Sequence, residues 1–317
     1  MLVVGSAAWG VTALWYFDHA GFAVRAALAL AFAIASLACL AGLFLSRWRR
    51  RACASYAVLF ALVLWRWQAI EPSNDRDWQP ENARLAYATV DGERITLHNI
   101  RNFDYRTETD FTPAYYDKTF DLRSLDSVDV VAVYWMGPAI AHVFLTFGFG
   151  GKDHVAISIE ARKERGEGYS SVRGFFRQYE LHYVVADERD VIRVRTNYRR
   201  DPPEDVYLYR LRSTPDAVRR VFLDYLAEIN RLKERAEFYN TLTTNCTSNI
   251  WMHSRVNPEH LPYSWKLLVS GHVPELLYEH GKLETSVPFA ELRRRSLINA
   301  HAVAADKAPD FSRRIRP

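Results

Sequence analysis

The stretch AHVFLTFGFGGKDHVAISIE, residues 141–160, decides the fold, because it predicts two alternating β-strands joined by a Gly150-Gly151-Lys152 turn. A three-residue loop fixes which residues of the two strands face each other. Three apolar pairs are expected across the ladder: Val143 with Ile159, Leu145 with Ile157, and Phe147 with Val155. One face of this hairpin is therefore predicted to lie in the core.

The other face of the hairpin carries the polar residues His142, Thr146, Ser158 and Glu160 beside Phe144. The same register sets His142 opposite Glu160, about 5 Å apart at Cβ. A histidine held by a carboxylate is an oriented base, and such a base serves a nucleophile.

Cys246, in the run YNTLTTNCTSNIW, is the candidate nucleophile. A helix is predicted to begin there, with Thr243, Thr244 or Asn245 as its N-cap. The amide N–H groups and dipole of a helix start stabilise a thiolate. The backbone N–H of Cys246 and the Asn245 side chain are candidate oxyanion donors. The alternative is a buried, inert cysteine.

The predicted triad is therefore Cys246, His142 and Glu160. His154 is a rival base on the same face, but it lies six residues from Glu160 along one strand, about 20 Å. The same distance excludes a zinc site built from His142, His154 and Glu160. A surface Glu160 paired with Arg162 remains the alternative for the carboxylate.

Composition and cysteine usage limit the function classes. The 317 residues are 25% charged, with a net charge of +4. Much of this charge lies in two arginine clusters, at 47–51 and 293–295, so no nucleic-acid binding is expected. Three cysteines cannot make a disulfide framework, and Cys39 and Cys53 lie in apolar segments.

The first 70 residues predict a membrane anchor. Three apolar runs, at 2–17, 21–46 and 52–70, are interpreted as three transmembrane helices. The basic loop RWRRR at 47–51 belongs on the cytoplasmic side. We therefore expect a bacterial inner-membrane protein whose remaining residues face the periplasm.

Residues 71–83 predict a linker, and 84–300 one α+β domain. Its first part predicts a curved antiparallel sheet that includes VIRVRTNY, residues 191–198, as a strand. An amphipathic helix over 214–232 follows and should pack on the sheet. Residues 301–317 are predicted to be a flexible tail.

Six runs in this domain resemble a known family: HNIRNFDYRTETDFTPAYYD, YWMGPAIAHVFLTFGF, VAISIEARKERGEGYS, FFRQYEL, ADERDVIRVRTN and YNTLTTNCTSNI. They are similar to the periplasmic domain of the Lnb-type lipoprotein N-acyltransferases. The resemblance implies a permuted papain-like fold and a thiol acyltransferase that needs no cofactor. The residue matching Cys246 would take an acyl chain from a membrane phospholipid as a thioester. The chain would then pass to the amine of a lipoprotein acceptor, with the residue matching His142 as base.

Family members of this type carry their membrane helices after the catalytic domain, whereas here they precede it. A lipid hydrolase, a cysteine peptidase or amidase acting on peptidoglycan, and a non-catalytic envelope protein stay open. A peptidase needs a polar groove, and an acyltransferase needs an apolar tunnel that ends at Cys246. Aromatic residues expected near the site favour a lipid: Phe144, Phe175, Phe176 and Tyr179. Asn245 and Tyr179 are the predicted oxyanion or substrate contacts.

Overall fold

A mixed sheet of eight strands is the centre of the fold, and helices cover it on both sides. The computed structural model describes residues 2–16, 21–45 and 47–316. Three positions of the predicted segments lie outside these ranges. They are residues 17 and 46, where two of the predicted apolar runs end, and residue 317 of the predicted tail. The strands are β1 Tyr87–Asp91, β2 Arg94–Arg101, β3 Asp104–Tyr105, β4 Phe111–Thr112, β5 Tyr115–Asp121, β6 Leu125–Tyr134, β7 Ala141–Phe149, β8 Asp153–Arg162, β9 Glu180–Ala186 and β10 Asp205–Arg210. The helices are α1 Leu2–Trp15, α2 Phe22–Leu43, α3 Arg49–Gln68, α4 Glu188–Val191, α5 Pro215–Glu234, α6 Cys246–Ser254, α7 Val273–Glu279, α8 Phe289–Ser296, α9 Asn299–Ala304 and α10 Phe311–Arg314.

The strand order is β1-β2-β9-β8-β7-β6-β10, and β5 also pairs with β2. Most neighbours are antiparallel, but β2 and β9 run parallel and meet at Arg101 and Ala186. The α+β class is confirmed, and the predicted antiparallel sheet is corrected to a mixed one.

The predicted hairpin is β7 and β8, and its register is confirmed. Leu145 pairs with Ile157, and the ladder closes at Phe149 and Asp153 around the three-residue loop. The predicted pair Val143 and Ile159 lies beyond the end of this ladder. The strands therefore leave their regular pairing near His142 and Glu160.

Both faces of the hairpin are buried. The predicted core face contributes Val143, Leu145 and Phe147 to the main hydrophobic core, which α5 completes. Thr214 caps α5 by accepting a hydrogen bond from the Ala217 N–H, as the sequence predicts. The opposite face, with Phe144, lies in a second apolar cluster.

The C-terminal residues form much of that second cluster, so the prediction of a flexible tail is wrong. Phe311 and Ile315 have no exposed surface. Arg316 donates to the buried carboxylates of Glu188 and Asp129. Phe311 and Ile315 are four residues apart, so both lie on the same side of one helical turn. A single turn in a charged segment is too short a pattern to predict a helix from the sequence.

The segment 191–198 is helical, so its prediction as a strand is wrong. It continues from α4 into a π-helix, Val194–Tyr198. Asp187 caps α4 by accepting a hydrogen bond from the Arg189 N–H. This cap favours a helix here, whereas the alternating apolar residues that follow predict a strand.

The N-terminal helices α1, α2 and α3 pack on one another. Among the described residues, α2 alone is long and apolar enough to cross a bilayer, and α1 is a shorter apolar helix. The predicted linker at 71–83 lies against the domain, because Trp78 is buried and the Arg162 guanidinium covers its ring at 4.0 Å.

Candidate active site

Cys246 is the first residue of α6, as predicted. Asn245 is the N-cap: its side-chain oxygen accepts a hydrogen bond from the Ser248 N–H at 2.8 Å. The Ser248 hydroxyl accepts from the Asn245 N–H at 2.9 Å, which completes a capping box. This local sequence therefore places the sulfur at the positive end of the helix dipole.

His142 and Glu160 approach each other at the ends of β7 and β8. The imidazole Nε2 lies 3.1 Å from Glu160 Oε1 and 2.7 Å from the Ser158 hydroxyl oxygen. Ser158 in turn donates to Glu160 Oε1 at 2.7 Å. The carboxylate therefore orients the ring both directly and through Ser158. Because Nε2 faces these acceptors, Nδ1 is the ring nitrogen left for the sulfur.

Cys246 and His142 line the same cavity, and each affects the pKa of the other. Burial raises the pKa of Cys246, but the His142 ring and its charge, together with the Val143 N–H, outweigh burial and lower the pKa below its ordinary value. Burial lowers the pKa of His142, but the Glu160 charge raises it to about 9. Both directions favour the ion pair of a thiolate and an imidazolium over the neutral pair.

Glu160 remains charged although it is partly buried. Burial raises the pKa of its carboxyl, yet the nearby His142 and Arg195 and the hydrogen bond from Ser158 hold that pKa well below its ordinary value. The predicted triad thus converges in space as a sulfur, an imidazole and an ionised carboxylate.

Arg195 is a fourth charged residue at this site, and the sequence analysis missed it. It lies in the π-helix Val194–Tyr198, is buried, and donates from Nη2 to Glu160 Oε1 at 3.1 Å. Its Nη1 lies 3.7 Å from Glu204, which also pairs with Arg199 at 2.9 Å. An arginine in an alternating run is typical of a solvent-facing position on a strand. The sequence pattern therefore gave no sign that Arg195 is buried at this site.

Two further predicted contacts have different outcomes. Asn245 lines the cavity above Cys246, and it donates one amide hydrogen to Thr241 O at 2.7 Å. Tyr179 is fully buried outside that cavity, where its hydroxyl donates to Gly168 O at 2.7 Å and accepts from the Ser170 N–H. Tyr179 therefore supports a loop and does not contact a ligand in the cavity. Of the rival bases, His154 pairs with Gly148 near the hairpin loop, away from Glu160.

The active-site cavity, which contains the triad residues, has a volume of about 560 Å³. Its polar wall includes Ser170, Ser171 and Thr241, and its charged residues include Glu108 and Arg199. The apolar part comprises Trp135, Met136, Ile140, Tyr169, Tyr239 and Leu268. In the described part of the chain, no group of three His, Cys, Asp or Glu residues is arranged to hold a metal ion.

One wall of this cavity is attached to the N-terminal helices. The loop between β8 and β9 supplies Tyr169 to the cavity. Further along the same loop, Phe176 and Arg177 contact the ends of the N-terminal helices. Arg177 donates to the carbonyl oxygens of Trp67 and Ile70, at 3.1 and 3.0 Å. Phe176 stacks on Tyr16, with ring centroids 5.6 Å apart. The cavity therefore lies close to the ends of α1 and α3.

Comparison with known proteins gave one match. The family model described as the Lnb N-terminal periplasmic domain matches residues 111–271. That range contains His142, Glu160, Arg195 and Cys246. No curated protein and no solved structure matches the chain.

Proposed function

The chain belongs to the family of the Lnb N-terminal periplasmic domain, which matches just over half of its residues, and on this premise we propose that it is a membrane-anchored thiol acyltransferase. Membership supports a periplasmic protein of the cell envelope. The proposed activity rests on one observation: Cys246 shares a cavity with a His142 ring that Glu160 and Ser158 orient. The order of sheet first and nucleophile helix later fits a permuted papain-like fold.

In the first step the Cys246 thiolate attacks the ester carbonyl of a phospholipid and forms a C–S bond. The Cys246 N–H at the helix start and the Asn245 amide are the donors available to the oxyanion. The ester C–O bond then breaks, and the His142 imidazolium gives its proton to the departing glyceryl oxygen. The products are a thioester on Cys246 and a lysophospholipid.

In the second step the neutral amine of a lipoprotein N-terminus attacks the thioester. An amide C–N bond forms, the C–S bond breaks, and the amine proton passes to the neutral His142 imidazole. This step regenerates the thiolate beside an imidazolium. Water in place of the amine would make the same site a lipid hydrolase.

The N-terminal helices support a substrate that lies in a membrane. Large apolar side chains are exposed on all three helices, including Leu2 at 91%, Phe44 at 89% at the end of α2, and Trp65 at 69%. An exposed apolar surface of this kind is suited to lipid. We propose that α1 and α3 lie in the bilayer with α2, and that the basic loop at 47–51 is cytoplasmic. The active-site cavity then lies at the periplasmic surface of that bilayer.

Intact-mass spectrometry tests this proposal. The full chain with Cys39→Ser and Cys53→Ser is incubated with phosphatidylethanolamine vesicles. We expect a fatty-acyl adduct that hydroxylamine removes and that an added Cys246→Ser substitution abolishes. A diacylated lipopeptide with a free amine should discharge the adduct and gain the acyl chain. An adduct that persists without Cys246, or no adduct at all, would contradict the proposal.

A second candidate is a cysteine amidase acting on peptidoglycan stems. The polar wall of the active-site cavity, with Ser170, Ser171 and Thr241, is the observation that favours it. Incubation with purified muropeptides distinguishes the two functions, because cleavage that depends on Cys246, without any acyl adduct, would establish the amidase. A chain whose Cys246→Ser variant behaves like the wild type in both assays would be a non-catalytic envelope protein.

A further inference from the structure

A second cavity lies beside α6, between the main hydrophobic core and the surface, and we call it the side cavity. It has a volume of about 360 Å³ and is lined by residues of β6, β7, α5, α6 and α7. Its inner wall is aliphatic and consists of Val128, Val130, Val143, Leu145, Val218, Leu267, Val273 and Leu277. Each of these residues is buried.

The volume and lining of the side cavity identify the chemical class of its ligand. Protein cores are packed as densely as organic crystals, and each cavity in them weakens the fold in proportion to its volume. An apolar cavity of about 150 Å³ takes up benzene and excludes water. By that scale the side cavity accommodates an aliphatic chain on the order of a dozen carbon atoms.

The side cavity and the active-site cavity adjoin each other at the start of α6. Thr247, which follows Cys246, lines both cavities. Val143 lines the side cavity, and its neighbour in β7, His142, lines the active-site cavity. Leu267 faces the side cavity and Leu268 faces the active-site cavity. An acyl group on Cys246 therefore has an aliphatic cavity beside its first carbon atoms.

Part of the lining of the side cavity is polar and includes Ser254, Asn257, Glu259, Arg212 and Lys282. The Lys282 ammonium lies 4.0 Å from the Glu259 carboxylate. These polar groups limit the length of an aliphatic ligand, because a longer chain would have to displace charged groups from one another or enter solvent.

We infer that the side cavity binds the hydrocarbon tail of the acyl group carried by Cys246 and so selects its chain length. This inference rests on the proposed acyl transfer. It adds the subsite that recognises the acyl chain, whereas the active-site cavity holds the reacting carbonyl and the acceptor.

Substitutions at Val221, a residue of α5 that lines the side cavity, test the inference in both directions. Val221→Phe shortens the cavity, and Val221→Ala enlarges it. Vesicles contain phosphatidylethanolamines with lauroyl to stearoyl chains in equal amounts, and intact mass reports the adducts. We expect Val221→Phe to lower the palmitoyl-to-lauroyl ratio about tenfold, the effect of excluding two methylene groups. Val221→Ala should raise that ratio. Val303→Phe, at a 58% exposed position on α9, is the matched control and should leave it unchanged.

Binding of cis-parinaric acid to the Cys246→Ser protein separates this inference from the proposed function, because it needs no chemistry. We expect Val221→Phe to weaken that binding about tenfold, and Val303→Phe to leave it unchanged. Equal binding by the Val221→Phe protein, or an unchanged adduct distribution, would overturn the assignment of the side cavity. If Val221→Phe weakens probe binding but the protein that retains Cys246 forms no thioester with phospholipid, the aliphatic ligand would be supported and the proposed acyl transfer overturned.

Discussion

Replacing Glu160 by Gln removes the charge that keeps the His142 ring protonated. The carboxylate oxygen lies 3.1 Å from Nε2. At that distance the Coulomb attraction between the two charges is about 1–5 kcal/mol, for effective dielectric constants between about 80 and 20. Burial and the Arg195 charge both lower the pKa of His142, and Glu160 outweighs them to raise it to about 9. Without Glu160 we expect that pKa to fall by about two units, or about 2.7 kcal/mol, which lies inside the Coulomb range.

The sign of the effect on Cys246 follows from the charge of the His142 ring. In the wild type Glu160 holds the pKa of His142 at about 9, and the imidazolium charge lowers the pKa of Cys246. In Glu160→Gln the ring loses its proton at a lower pH, so its charge stabilises the thiolate less and the pKa of Cys246 rises toward its ordinary value. The pH at which half of the thiol is reactive should therefore increase.

The rate of Cys246 alkylation by iodoacetamide, followed against pH by intact mass, measures this shift. The assay uses the full chain with Cys39→Ser and Cys53→Ser. Glu164→Gln is the matched control, because Glu164 pairs with Arg76 at 2.9 Å and should leave the profile unchanged. A Glu160→Gln profile that coincides with the wild type would refute the electrostatic account of the site.

Three further predictions concern single contacts. Ser158→Ala removes the hydroxyl between His142 and the carboxylate and should slow Cys246 alkylation at neutral pH by about 3–10-fold, the value of about one hydrogen bond; an unchanged rate would mean that the direct contact suffices. Phe311→Ala should destabilise the detergent-solubilised chain by about 3–5 kcal/mol in thermal unfolding, whereas the exposed Val303→Ala should change stability by less than about 0.5 kcal/mol. Arg177→Ala removes the hydrogen bonds to the carbonyl groups at the end of α3, and we expect limited proteolysis to cut at 71–83 faster; an equal cutting rate would show that the other contacts hold the domain in place.

The part of the fold that the sequence predicts correctly depends on local geometry. The three-residue loop at Gly150 fixes the register of β7 and β8, and the register brings His142 to Glu160. The Asn245 cap fixes where α6 begins, and hence the position of Cys246. Each of these signals lies within a few residues of the feature that it predicts.

The parts that were missed depend on contacts between distant residues. Arg195 is stabilised in the interior by its ion pairs with Glu160 and Glu204. No local sequence pattern predicts these pairs. Phe311 is buried because it reaches the second apolar cluster of the sheet, and an isolated helical turn of four residues has little stability of its own. Ser158 was placed on the correct face, but its position between the ring and the carboxylate requires knowledge of where the strands diverge.

The burial of β7 on both sides has a consequence for biosynthesis. The strand that begins at Ala141 and carries His142 is completed on one side by Phe311 and Ile315, which come much later in the chain. Until these two residues have been exported, the Phe144 side of the strand lacks part of its apolar cover. The thiol and its base are therefore expected to reach their final alignment only after Phe311 and Ile315 have packed, so a partly exported chain is protected from reacting prematurely with the surrounding lipid.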